Sequence, residues 1–186
     1  MIIESLVLSI LVGKIRGGKI TKIGELNIKK WYLFIIAFGI EFSLLYGYQK
    51  GIGIFQNYFF YFHLASYLLL FIGFIFNIKN LWLDLVFLGT LLNAIVIFLN
   101  GGRMPVSIDA LMLAELPEFA NQLIANQLAT HQVLSLEMKA WYLGDIIPLI
   151  PPYPFKKVIS IGDIIITMGI FFLLQKFMKK KDTIFS

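Results

Sequence analysis

The chain has 186 residues, a formal net charge of +5 and no cysteine, which excludes disulfides, thiolate nucleophiles and Cys-bound metals within it. Apolar residues make up 59% and the mean hydropathy is +0.82, above the roughly 45–50% apolar content of soluble domains, so the excess points to a bilayer. The basic residues flank apolar runs instead of forming one basic face, so the charge reads as membrane topology and not as nucleic-acid binding.

Five apolar segments follow one another: Ile2 to Gly13, Trp31 to Tyr48, Tyr58 to Phe76, Leu81 to Leu99 and Val158 to Met178. The first, MIIESLVLSILVG, has neither a basic leader nor a small-residue cleavage site, so it is not expected to be a removed signal peptide. The other four approach the ~20 residues that cross ~30 Å of hydrocarbon. The first is short, and either spans by thinning the bilayer or lies half embedded. Lys14 to Lys30, Lys79 and the cluster from Lys176 to Lys181 fall on one side. Lys50, Arg103, Lys139, Lys156 and Lys157 fall on the other. This bias predicts a multi-pass cell-membrane protein with its N-terminus outside and its C-terminus cytoplasmic. The expected fold is all-α: a single domain over 1–186, a bundle of about five transmembrane helices with a long structured extracytoplasmic loop over 100–157.

Within that loop, Ile108, Leu111, Met112, Leu116, Phe119, Leu123 and Ile124 recur near helical period. Ser107 is a suitable N-cap and Pro117 a break, which predicts two short amphipathic helices on the outer surface or capping the bundle.

The polar residues of the segments share a depth. Glu4, Glu41, His63, Asn93 and Asp163 all fall towards the outer ends of their segments, while Asp84 lies near the cytoplasmic end. A charge in the bilayer costs at least ~2.5–3.5 kcal/mol, so such groups face a partner or a wet cavity. Structural roles remain open for each. Asn93 suits a helix–helix hydrogen bond, His63 a satisfied bundle histidine, Asp163 a helix N-terminal acid, Asp145 a turn after Gly144 and Arg103 a lipid phosphate.

The stretch YLGDIIPLIPPYPFKKVISIGDIII repeats one phrase, LGDII and IGDII, with Pro148, Pro151, Pro152 and Pro154 between the copies. Two carboxylates brought within about 3–5 Å cannot both ionise easily. The ionised one can take a proton from water while the protonated one polarises a carbonyl. Asp145 and Asp163 are therefore the expected catalytic pair of an aspartyl-type hydrolase acting at the outer leaflet. Asn100 and Arg103, in NGGR, would position substrate, since glycines allow close approach and a guanidinium grips phosphate or carboxylate. Glu41, His63 and Asn93 would line the cavity. The alternative is a non-enzymatic protein that binds or transports a small ligand, ion or lipid through the same cavity. KIRGGK lacks the Walker spacing, and neither HExxH nor GxSxG occurs, so no cofactor or metal is expected.

The phrases LVGKIRGGKI, NGGRMPVS, YLGDIIPLIPPYPF and VISIGDIIITMG resemble, over nearly the whole chain, a family of bacterial membrane proteins known as domain of unknown function 5317. That resemblance implies a membrane protein and no particular activity. The stretch from Tyr142 onward is also similar to lipoprotein signal peptidase, an intramembrane aspartyl protease. That family has one Asp in a VVDF-like phrase and a second in FNxADSxIxxG at the start of its last span. The similarity implies that Asp145 and Asp163 form a catalytic dyad, with membrane lipids and a lipid-anchored or membrane peptide as partners. Here Ser160 and Ile161 stand where that family has its Asn, and a loop replaces the two spans between NGGRMP and the first Asp.

Overall fold

A computed structural model describes residues 2–178. Lys179 to Lys181, part of the C-terminal basic cluster, lie outside the described residues. Every apolar segment forms a helix over most of its length. The long helices are α1 (Ile2–Ile15), α2 (Tyr32–Gln49), α4 (Phe59–Ile75), α5 (Leu81–Leu99) and α8 (Ile161–Met178), with a five-residue α3 (Gly53–Asn57) in the α2–α4 turn. By length and composition α2, α5 and α8 can each cross a membrane, and α4 is a shorter apolar helix. Their outward faces carry large apolar side chains such as Phe42, Tyr61 and Leu81, each more than half exposed, as lipid-facing surfaces do.

Small residues decide how the long helices meet. A Cβ on Gly89 of α5 would stand 2.5 Å from the carbonyl oxygen of Gly162 in α8, and one on Gly169 would stand 2.8 Å from that of Trp82. Backbone therefore packs on backbone along α5 and α8, the device membrane helices use when burial of apolar surface gives no drive. The short α1 is stitched to the other side of α8 by polar bonds. Ser5 Oγ donates to the Thr167 carbonyl at 2.9 Å, Ser9 Oγ to the Phe171 carbonyl at 3.0 Å, and Gln175 Nε2 to the Ser9 carbonyl at 2.6 Å. Helix α2 packs along α4. The two groups of helices, α1–α8–α5 and α2–α4, touch through aromatic rings, with Phe87 and Phe98 of α5 against Phe71, Phe74, Tyr67 and Phe60 of α4 at 5.3–5.7 Å.

The 100–157 segment folds as a cap over one end of the bundle. Helices α6 (Ile108–Leu113) and α7 (Pro117–Ile124) form where the periodicity places them. Ser107 Oγ accepts from the Ala110 amide at 3.2 Å, and Pro117 opens α7. Val106, Leu111, Ala120 and Leu123 form a buried core of the cap, whereas Met112 and Ile124 of the same stripe stay exposed. The all-α expectation needs one amendment, because the cap also holds two strand pairs. β1 (Met104–Val106) runs parallel to β2 (His131–Val133), and β3 (Ile147–Leu149) antiparallel to β4 (Lys157–Ile159). Three-residue strands show no period in a sequence.

Candidate functional site

Antiparallel pairing of β3 and β4, with Ile147 opposite Ile159, turns the proline-rich stretch into a hairpin. Its base holds Asp145, two residues before Ile147, and the start of α8, two residues after Ile159. On its other side Asp145 is pinned to β1. Its amide donates to the Pro105 carbonyl at 2.9 Å, and its carbonyl accepts from the Ser107 amide at 3.0 Å. Both phrases thus arrive at the cap end of the bundle, as the repeat suggests.

Asp163 is held from three directions. Asn93 Nδ2 of α5 donates to its Oδ1 at 2.9 Å, and the Ser160 amide reaches its Oδ2 at 3.3 Å. Ser160 Oγ accepts from the Asp163 amide at 3.0 Å and donates to Asn93 Oδ1 at 2.8 Å. This is a reciprocal cap at the N-terminus of α8, extended by one amide to α5. A second cluster joins α2 to α4. His63 Nδ1 lies 2.8 and 2.9 Å from the two oxygens of Glu41, and Ser66 Oγ donates to the same carboxylate at 2.8 Å. The imidazole is buried between the rings of Phe59, Tyr67 and Phe98.

Glu41, His63, Ser66, Asn93 and Asp163 all line one groove of about 520 Å³ between α2–α4 and α5–α8. Below that polar end the walls are apolar: Phe34 and Phe38 of α2, Leu70 and Phe74 of α4, Val86 of α5, Ile166 and Ile170 of α8. Tyr67 also lines the groove and is within electrostatic reach of Glu41, Asp163 and Asp145.

Asp145 lines a different, smaller cavity of about 230 Å³ beneath the cap, with His131, Phe119, Lys156 and Lys157. Its side chain is buried, and Oδ1 makes no hydrogen bond among the described residues. Burial, reinforced by the charge of Asp163, pushes the Asp145 carboxyl up to about 8. His131 Nε2 stands 3.9 Å from Asp145 Oδ2, and burial lowers the affinity of its imidazole for a proton. Among the described residues no hydrogen bond joins Asp145 to Asp163. The two acids influence one another electrostatically, and they line separate cavities.

The remaining expected residues sit in scaffolding contacts. Asn100 Nδ2 donates to the Val96 and Lys139 carbonyls at 2.7 and 2.8 Å, tying the end of α5 to the cap. Arg103 reaches Asn126 Oδ1 at 2.6 Å and the Tyr48 hydroxyl at 3.2 Å, bridging the end of α7 to the end of α2. Gly101 and Gly102 before it have φ of +78° and +85°, which is why this turn is written with glycine. Glu4 stays at the cap end but on the other side of α8, outside the groove, where it pairs with Lys157. Sequence reasoning missed His131, Ser66, Tyr67 and Ser160. For Ser160 a signal existed, since Ser-x-x-Asp before an apolar run is a capping pattern. His131 in LATHQV carries none.

The model of the family of unknown function DUF5317 matches residues 25–175. An uncharacterized protein of Thermotoga maritima is 30% identical over 168 residues, covering 90% of this chain and 83% of that protein. No solved structure matches the chain.

Proposed function

We propose that this chain, which belongs to the DUF5317 family of unknown function, is a multi-pass membrane protein that binds an amphiphilic ligand in the groove between α2–α4 and α5–α8. The observation that carries this reading is the groove itself. Its volume lies in the range of ligand sites, its walls are apolar, and its polar groups gather at one end. An amphiphile has the same polarity profile. The basic clusters support an arrangement with the N-terminus outside, the cap extracytoplasmic and five spans, α1 and α4 being the short ones. The polar end of the groove then faces the outer leaflet, where membrane lipids supply ligands.

Thermal unfolding in lipid nanodiscs tests the binding. Dodecyl amphiphiles bearing an amine, a hydroxyl or a carboxylate are added in turn. At least one raises the Tm of the wild type, since a ligand at a hundred times its Kd adds about 2.7 kcal/mol. Ile170→Trp, which fills the groove, abolishes the rise, while Ile164→Trp on the exposed face of α8 keeps it. No rise with any head group, or an equal rise in Ile170→Trp, refutes the proposal.

A second reading is favoured by a separate observation, the asymmetry of the two acids. Asp145 is a buried carboxyl that holds its proton near neutral pH and has a free oxygen, while Asp163 is supplied with three donors and acceptors through Asn93 and Ser160. A neutral acid beside a hydrogen-bonded carboxylate is the arrangement an aspartyl hydrolase uses. In that reading Asp163 takes a proton from water, Asp145 donates a hydrogen bond to the scissile carbonyl, and a lipid-anchored or membrane peptide reaches from the groove to the cavity that Asp145 lines.

A further inference from the structure

We infer that the ligand of this groove is a single-chain amphiphile whose head group is a protonated amine. The inference rests on the binding reading above and adds the chemical class of the head.

The argument is one of charge and donors at the polar end. Two carboxylates, Glu41 and Asp163, face the groove, against one imidazole, and among the described residues neither Lys nor Arg lines it. Two cations of the cap are engaged elsewhere, Arg103 with Asn126 and Tyr48 and Lys157 with Glu4. The nitrogen and serine donors at this end are already committed. His63 Nδ1 and Ser66 Oγ serve Glu41, and Asn93 Nδ2 and the Ser160 amide serve Asp163. What is left facing the space is mostly acceptor capacity, the remaining lone pairs of the carboxylates, beside the Tyr67 hydroxyl, which makes no hydrogen bond among the described residues and can accept as well as donate. A phosphate or carboxylate head would meet like charge with no cation to offset it. An ammonium brings a positive charge and three donors, and so complements the two carboxylates and the lone pairs of the Tyr67 oxygen.

The chain length follows from the helices. From Asp163 to Leu173 the groove follows α8 for ten residues, or ~15 Å, and the walls over that length are apolar apart from Thr90, whose hydroxyl is turned back to the Val86 carbonyl at 2.8 Å. One alkyl chain fits such a slot. The aromatic contacts between α4 and α5 close it on one side.

Photo-cross-linking with two probes tests the assignment. One is dodecylamine and the other dodecanoate, each with a diazirine in mid-chain, and labelled residues are mapped by mass spectrometry on the full-length protein in nanodiscs of neutral lipid. The amine probe labels residues around Leu70 and Ile170 about tenfold more than the acid probe, and excess dodecylamine displaces it. In the double variant Glu41→Gln with Asp163→Asn the preference falls to parity. Should that variant fail to fold, Ile170→Trp, which keeps both carboxylates, serves instead and loses the groove label. Equal groove labelling by both probes, or preference for the acid, overturns the amine assignment and leaves the binding reading standing. Label confined to lipid-facing residues such as Phe42 overturns both. Labelling needs no turnover, so Asp145→Asn labels like the wild type whatever its effect on hydrolysis.

Discussion

Asp145 combines three unusual circumstances. It is buried, one of its oxygens lacks a hydrogen bond among the described residues, and it lies within the field of a second acid. Its proton is ordinarily lost near 3.8 but is held to about 8 in the folded chain. Between those values the native state keeps a proton that the unfolded chain has released. Its contribution to stability is therefore complete below about pH 4 and is lost as pH rises to about 8, at up to about 1.4 kcal/mol per unit. Asp145→Asn removes this titration while keeping the shape. The Tm of the variant, compared with that of the wild type, climbs between about pH 5 and pH 8 and then levels off. A difference that stays flat across that range would show that Asp145 ionises normally. The same variant decides the hydrolase reading. If the two acids act as a unit, Asp145→Asn and Asp163→Asn each reproduce the peptide and lipoprotein profile of a deletion, and the double variant is no worse. A wild-type profile in either folded Asn variant sinks that reading.

At the scale of elements, hydropathy located every long helix, with ends that coincide or differ by at most three residues. The fifth segment shows why. Val158 belongs to the apolar run, yet it pairs with Pro148 in β4, and Ser160 starts the helix by capping it. Helices α6 and α7 were legible because Ser107 and Pro117 punctuate a periodic stripe. The strand pairs were not, being three residues long and dictated by partners remote in sequence, such as Met104 opposite His131. The site was legible to the same degree. Depth alone gathers Glu41, His63, Asn93 and Asp163, because the four helices enter the cap end in alternating directions. The contact of His131 with Asp145 needs the β1–β2 pairing, and the contacts of Arg103 with Asn126 and Tyr48 were invisible because the sequence shows only a guanidinium after two glycines. The orientation of the spans is open to a direct check. Single cysteines replace Lys22 and Gln127, and an impermeant thiol reagent is applied to intact cells. Position 127 labels and position 22 does not; the opposite pattern inverts the bundle.

For the whole molecule, the division into α1–α8–α5 and α2–α4 matters most. The first group is locked by backbone contact at Gly89, Gly162 and Gly169 and by serine bonds from α1. The second leans on it through rings near Phe87 and Phe98, and the cap ties both together through Asn100 and Arg103. At the far end Asn77 holds the segment before α2 by accepting from the Lys29 amide and donating to its carbonyl, both at 2.8 Å. The groove is thus braced at both ends and apolar between, as the proposed amphiphile site requires.

Native mass spectrometry of the protein released from its own membrane tests this account most directly. The wild type and Ile164→Trp carry an added mass of one single-chain amphiphile, and Ile170→Trp appears at its bare chain mass. The same adducts on all three proteins, or none on the wild type, would contradict a ligand held between α2–α4 and α5–α8.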